Sequence, residues 1–380
     1  MTFADLQVHA DLIAALLKQQ IDDPTPIQIA ALPILLSGKD AYLHAETGTG
    51  KTLAYLLPIF SRLDLAQAAA QVAIQAIIVA PTHELAIQIQ RQCADLAQNT
   101  GWPVRTLLLI GGTSLDRQLD KLKKKPHLVV GSPGRIAELI AKGKLKSKFV
   151  HSIVIDEADR LLNDESLAAI RAIIQSAPTT RQLIFASATM PSSCDDVIAT
   201  LSPQLVRLRA GTAAVNPNIE HLYLICEERD KPDELRKLLH AFNVERAIVF
   251  VHRNDVAEKI AAKLAHHHIA AVDLNAALHK EDRKHAMDGI RSGAIRVMIA
   301  SDVAARGLDI KGVTHIFNFD VPTLSKDYLH RVGRTGRAGA KGVAVSLTTE
   351  VEARLMRRYQ EELGIRVQCV RMREGRILEA

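Results

Sequence analysis

Two stretches of this sequence have the residue types to handle a nucleoside triphosphate. The first is AETGTGKT at 45–52, after the short apolar run AYLHA and before the helix-prone LAYLLPIF. Strand, glycine loop and helix in that order make a phosphate-binding loop. Gly48 and Gly50 would let backbone N–H groups approach phosphate oxygens within the cradle Ala45, Glu46, Thr47, Gly48, Thr49 and Gly50, and the helix start adds a positive dipole end. Lys51 would reach the β- and γ-phosphates and Thr52 a Mg²⁺ ion. The second stretch is SIVIDEADRL at 152–161, an apolar strand ending in Asp156 and Glu157. A carboxylate at such a strand end suits an outer ligand for Mg²⁺. A second carboxylate one residue on can orient or deprotonate the attacking water.

A third stretch, HRVGRTGRAG at 330–339, spaces Arg331, Arg334 and Arg337 three apart with glycines between. A period of three puts side chains roughly on one helix face, but Gly333 and Gly336 argue against an ordinary helix interior. In isolation this is a solvated basic turn. In a chain that also carries a lysine phosphate loop it is a candidate for γ-phosphate contact.

These groups need a scaffold. The chain has 380 residues, more than one typical core, so two domains are expected. Apolar runs at 76–80, 127–131, 152–156 and 182–186 alternate with helical stretches such as 84–97 and 166–176, and the pattern resumes at 247–251, 297–301, 315–319 and 342–347. This predicts an α/β fold of two units, each a parallel sheet wrapped by helices. The stretch RAGTAAVNPN reads as a linker at 209–218, between domains 1–208 and 219–380. Net charge is +6 and the pI about 9.1, which suits an anionic partner. Cys93, Cys194, Cys226 and Cys369 form no CxxC pair and read as reduced structural thiols without a metal site. The run KLKKKPH at 121–127 reads as a solvated helix end, and His266 to His268 as surface. The opening MTFADLQVHADLIAALLKQQ is expected to be neither signal peptide nor membrane span, which favours the cytoplasm.

The motifs together resemble those of the DEAD-box ATP-dependent RNA helicases almost end to end. DEAD stands at 156–159, PTPIQ at 24–28 is similar to the family's adenine-reading Q motif, and PTHELA (81–86), GG (111–112) and SPGR (132–135) resemble its first-domain RNA motifs. SAT (187–189), SDVAARGLDI (301–310) and HRVGRTGR (330–337) complete the set, and Ala45 is the family's own variant. The resemblance implies two tandem RecA-like domains, each a parallel sheet flanked by helices, that bind ATP with Mg²⁺ and single-stranded RNA.

By that resemblance Gln28 would read adenine, its amide offering a donor and an acceptor together. Thr52 and Asp156 would serve the metal, and Lys51, Asp156, Glu157, Arg334 and Arg337 catalysis. Gly307 and Asp309 would approach the nucleotide from the second domain. Asp159, Ser187, Thr189, His330 and Arg331 would couple ATP to RNA, with His330 and Arg331 bracing the interface. Pro81, Thr82, Gly111, Gly112, Ser132, Gly134, Arg135, Arg283 and Ser301 would hold the RNA backbone, a contact that positions a strand without reading sequence. Ile21 stands where the Q motif carries an aromatic, leaving Phe3 as the candidate wall for the base; His83 replaces an arginine, Ser132 a threonine and Lys280 a glutamine. The resulting expectation is an RNA-dependent ATPase that separates short duplexes or remodels RNA–protein complexes. The alternatives are an ATP-dependent RNA clamp with slow turnover, or a DNA translocase of the wider two-domain class.

Overall fold

Apolar residues at every position of a short run make a strand that is buried on both faces, and such strands pair in parallel with helices covering both sides. A computed structural model describes residues 1–45, 49–64, 73–188, 192–209, 216–274, 280–305, 310, 312–336 and 339–379, without the side chains at 164, 192, 193, 280, 281, 283, 284, 303 and 326. The chain divides into two compact units, Met1–Gly211 and Thr212–Ala380.

The first unit has seven strands: β1 (Ala41–His44), β2 (Ala76–Val79), β3 (Thr106–Leu109), β4 (Leu128–Gly131), β5 (Ser152–Asp156), β6 (Gln182–Ser187) and β7 (Val206–Arg209). Their spatial order is β3-β4-β2-β5-β6-β1-β7, and every pairing is parallel. Successive side chains point to opposite faces. Thus Ile153 and Ile155 of β5 join Leu183 and Phe185 of β6 in one core cluster, while Val154, Ile184 and Ala186 join the other.

The second unit contains β8 (Ile219–Ile225), β9 (Ala247–Phe250), β10 (Ala271–Asp273), β11 (Val297–Ala300), β12 (His315–Asn318), β13 (Gly342–Thr348), β14 (Val367–Arg373) and β15 (Arg376–Glu379). The order is β10-β11-β9-β12-β13-β8-β14-β15. It is parallel except for the last pair, where β14 and β15 form an antiparallel hairpin. The expected parallel sheet flanked by helices is present, with this one hairpin added at its edge: β15 is mostly exposed and carries polar residues that hide it from a search for apolar runs. Strands β3, β8 and β10 escape the same search because their burial is incomplete or alternating. Strand β7 extends through Arg209, which the sequence pattern assigns to the linker.

Candidate functional site

A fully parallel sheet delivers all its strand C-termini to one edge, where ligands of α/β proteins bind. In the first unit that edge carries the motif residues in spatial order. Gly111 and Gly112 follow β3, Ser132 to Arg135 follow β4, and Pro81 and Thr82 follow β2; Asp156 ends β5, Ser187 ends β6, and Ala45 follows β1. The phosphate loop therefore lies toward one side, the motifs expected to touch RNA toward the other, and Asp156 and Ser187 between them.

At the phosphate loop, Gly50 caps the helix Lys51–Ser61 in a left-handed conformation, φ +92°. Only glycine fits: a Cβ there would lie 2.6 Å from Gln28 Nε2. Lys51 Nζ donates to the Ala45 carbonyl, and Ala45 N–H donates to Ser187 O at 3.1 Å, tying the loop to β6. Gln28 is 1% exposed. Its Nε2 donates to Gly50 O at 3.1 Å, and its Oε1 accepts from Thr25 N–H at 2.9 Å. Both ends of the amide thus serve the entry to the helix Pro26–Leu36 and the phosphate loop. Phe3, the candidate aromatic wall, is corrected: at 1% exposure it packs in the core of the first unit and offers no face to a base. Glu46, Thr47 and Gly48 lie outside the described residues.

Asp156 is buried at the end of β5. Its Oδ1 accepts from the Glu157 N–H at 2.9 Å and its Oδ2 from the Tyr55 hydroxyl at 2.8 Å. Burial pushes its carboxyl up to about 6, against the opposing pull of the Tyr55 hydrogen bond and the Lys51 charge. Tyr55 is a participant that the motifs do not reveal. It sits one turn into the helix that begins at Lys51, on the face expected to be plain core, and its polar tip is the only clue in its residue type. Glu157 adopts the left-handed region, φ +51°, which ends the strand and starts the helix Ala158–Leu161 at once. Such a conformation costs on the order of 1 kcal/mol in a residue with a Cβ. Its carboxylate meets Arg160 Nη1 at 3.2 Å. A desolvated aspartate beside a hydroxyl-bearing helix start offers hard oxygen donors, the chemistry that suits Mg²⁺ held jointly by protein and phosphates.

Ser187 is buried at the end of β6, in register with His44 of β1. His44 Nε2 lies 3.1 Å from the Ala188 carbonyl. Asp159 stands in the helix after Glu157, and its carbonyl lies 3.9 Å from Cys194 Sγ. Thr82 caps the helix His83–Thr100, its hydroxyl accepting from Leu85 N–H at 3.2 Å, and Ser132 caps the helix Pro133–Ala141. Gly134 is exposed, with open space around its Cα. Arg135 pairs with Glu138 at 3.1 Å, while its Nη1 is buried without a hydrogen-bond partner. Two helix starts and an under-used guanidinium on one edge form an anion-facing surface.

In the second unit Ser301 follows β11 and its hydroxyl accepts from Ala304 N–H at 3.2 Å. The arginine run is split by the end of the helix Ser325–Val332, with Arg331 inside the helix and Arg334 beyond it. Arg331, expected to brace the interface, is buried at 1% exposure among residues of its own unit. It forms a fork with both Asp302 oxygens at 2.7 Å, donates to Asp320 O at 2.6 Å and lies over the Phe250 ring. His330 precedes it in the same helix, and Arg334 follows in the turn. Thr189, Gly307, Asp309 and Arg337 lie outside the described residues, as does the Arg283 side chain.

The DEAD/DEAH box helicase family matches residues 25–197, and the helicase conserved C-terminal domain matches residues 230–339. The chain is 39% identical over 353 residues to the DEAD-box ATP-dependent RNA helicase CshA of Geobacillus kaustophilus, covering 92% of this chain and 74% of that protein. It is 38% identical to CshC of Bacillus cereus, covering 95% and 91%. Among solved structures, Saccharomyces cerevisiae Dbp5 bound to RNA and ADP BeF3 superposes with a TM-score of 0.85 at 27% identity, covering 97% of this chain and 95% of that one.

Proposed function

This chain belongs to the DEAD/DEAH box helicase family, and from that membership we propose how its own residues perform the work of an ATP-dependent RNA helicase. ATP is the substrate at the phosphate loop. Lys51 moves from the Ala45 carbonyl to the β- and γ-phosphates, and the Thr49 and Gly50 backbone lines the cradle. Gln28 meets the adenine while keeping its grip on Gly50, so the base and the phosphates are sensed by one side chain. Thr52 and Asp156 would hold Mg²⁺, which supplies charge neutralisation at the phosphates when bound. Glu157 orients the attacking water and accepts its proton. RNA lies along the other half of the same edge, on Pro81, Thr82, Gly111, Gly112, Ser132, Gly134 and Arg135, and reaches Ser301 and Arg283 of the second unit. Arg334 and Arg337 stabilise the charge that develops on the γ-phosphate. Gly307 and Asp309 contact the nucleotide from their side, and Asp159, Ser187 and Thr189 relay between the two ligands. Hydrolysis then releases the RNA after local strand separation.

The observation that carries this reading is the order of strand ends along the first sheet. The phosphate loop, Ser187, Asp156 and the RNA motifs follow one another without an intervening element. The test compares ATPase stimulation by RNA and by DNA of one sequence at fixed salt. RNA should stimulate and DNA should not, since ribose 2′-hydroxyls distinguish the two. Equal stimulation refutes the RNA assignment.

A further inference from the structure

Two lysine runs lie away from the motif edge. One follows the helix Leu115–Leu122 and comprises Lys121, Lys123, Lys124 and Lys125; the other follows the helix Pro133–Ala141 and comprises Lys142, Lys144, Lys146 and Lys148. All eight are exposed. Both helices start at the motif edge and end at the opposite one, so both runs stand where β4 and β5 begin. They meet at a cavity of ≈ 370 Å³ lined by Asp116, Leu119, Asp120 and Leu122 of the first helix, with Lys123 from one run, paired with Asp120, and Lys144 from the other.

The second run is a built surface. Leu145, Ser147 and Val150 are buried while Lys144, Lys146 and Lys148 point outward. Ser147 Oγ donates to Ser176 O at 2.7 Å, and Leu145 N–H donates to Leu139 O at 3.0 Å, so the backbone that presents the lysines is held. Phe149 is 49% exposed beside them, with Lys148 Nζ 5.6 Å from its ring centroid. Between 101 and 150 the chain has eleven Lys and Arg against three Asp and Glu. That surplus of eight exceeds the +6 of the whole chain, so the other 330 residues are net acidic. The excess positive charge of the sequence therefore lies within these fifty residues.

We propose that this face is a second RNA-binding surface, which takes the strand flanking the segment held at the motif edge. Lysine ammoniums are point charges that neutralise phosphates without reading bases. An exposed aromatic among them provides a stacking plane for an unpaired base. The helix Pro133–Ala141 spans only about 13 Å from one edge to the other, so a strand leaving Arg135 reaches Lys142 and Lys144 within a few nucleotides. Such a surface would anchor the enzyme beside the duplex it opens. The proposal rests on the RNA helicase reading above.

The test uses the full chain with Lys121, Lys124, Lys144, Lys146 and Lys148 all changed to Gln. All five are exposed, and none makes an ion pair that the described residues show. Affinity is measured against salt for RNAs of about eight and about 30 nucleotides, lengths chosen around single-strand site sizes. If all five reach phosphate, the slope of log K against log salt for the long RNA becomes shallower by roughly 3.5. The wild type then loses about 100-fold more affinity than the variant between about 50 and 200 mM salt. The short RNA should bind both proteins equally and stimulate their ATPase equally. Phe149→Ala should separately weaken the long RNA about tenfold. An unchanged long-RNA slope overturns the proposal, and loss of sedimentation with phosphatidylserine vesicles in its place assigns the lysines to a lipid surface. A wild type whose ATPase ignores the short RNA overturns the helicase reading itself, and the second surface with it.

Discussion

Asp156→Asn should stabilise the ligand-free protein while disabling it. The carboxyl is raised from its ordinary value of 3.8 to about 6 because the folded state buries it. The folded protein therefore holds this proton more tightly than the unfolded chain. The contribution is fully present below pH 3.8 and is lost as pH rises through 6, so the ionised carboxylate is a burden above that window. The gap between those two values corresponds to about 3 kcal/mol. Asn keeps the acceptor for Glu157 N–H but turns a donor toward the Tyr55 hydroxyl, which gives back about 1 kcal/mol. The expected net gain is about 2 kcal/mol at pH 8, falling to roughly 0.5 kcal/mol at pH 5. Trp102 is the single tryptophan and packs against the core of the first unit, so its fluorescence during urea unfolding reports that unit alone. The measurement is made with EDTA at both pH values. A variant that is less stable at pH 8, or a difference that does not change with pH, refutes the argument that burial of this charge dominates. Added Mg²⁺ and ATP should stabilise the wild type more than the variant.

Glu157→Gln keeps the shape of the side chain and removes its charge; single-turnover assays should show ATP and RNA binding preserved and hydrolysis lost, and near-normal turnover would remove the residue from the catalytic role. Gln28→Ala should weaken ATP by roughly 1–3 kcal/mol more than GTP if the amide reads adenine, whereas equal weakening of both in competition titrations would leave only its hydrogen bond to Gly50. Arg331→Met strips the partner from Asp302 and should cost about 3 kcal/mol in unfolding of the second unit. Arg334→Ala should lower RNA-stimulated hydrolysis on the order of 10³-fold, with lysine a poor substitute because it lacks the planar fork; an unaffected rate would make this arginine part of a basic surface turn.

Some of this was readable along the chain because its cause is local. A glycine loop between an apolar run and a helix must expose its N–H groups, whatever surrounds it. An apolar run ending in Asp156 and Glu157 must bring those carboxylates to a strand terminus. Alternation of such runs with helices specifies parallel sheets, since no other layer arrangement buries them. What needed the tertiary structure is what strand order decides. Tyr55 and Asp156 are 101 residues apart and meet because β1 and β5 flank β6, which brings the helix after β1 across to the end of β5. Gln28 reaches Gly50 across 22 residues because two helices pack side by side, turning an expected base reader into a clamp on the phosphate loop as well. Arg331 belongs by spacing with Arg334, yet the helix that carries it turns it inward, onto Asp302 at the start of the short helix after β11. The two lysine runs each look like an ordinary solvated helix end. They become one positive face only because β3 and β4 are neighbours, so the helices that follow them end side by side. Local periodicity carries no information about which strand lies beside which, and the pairing of distant side chains follows from that order alone.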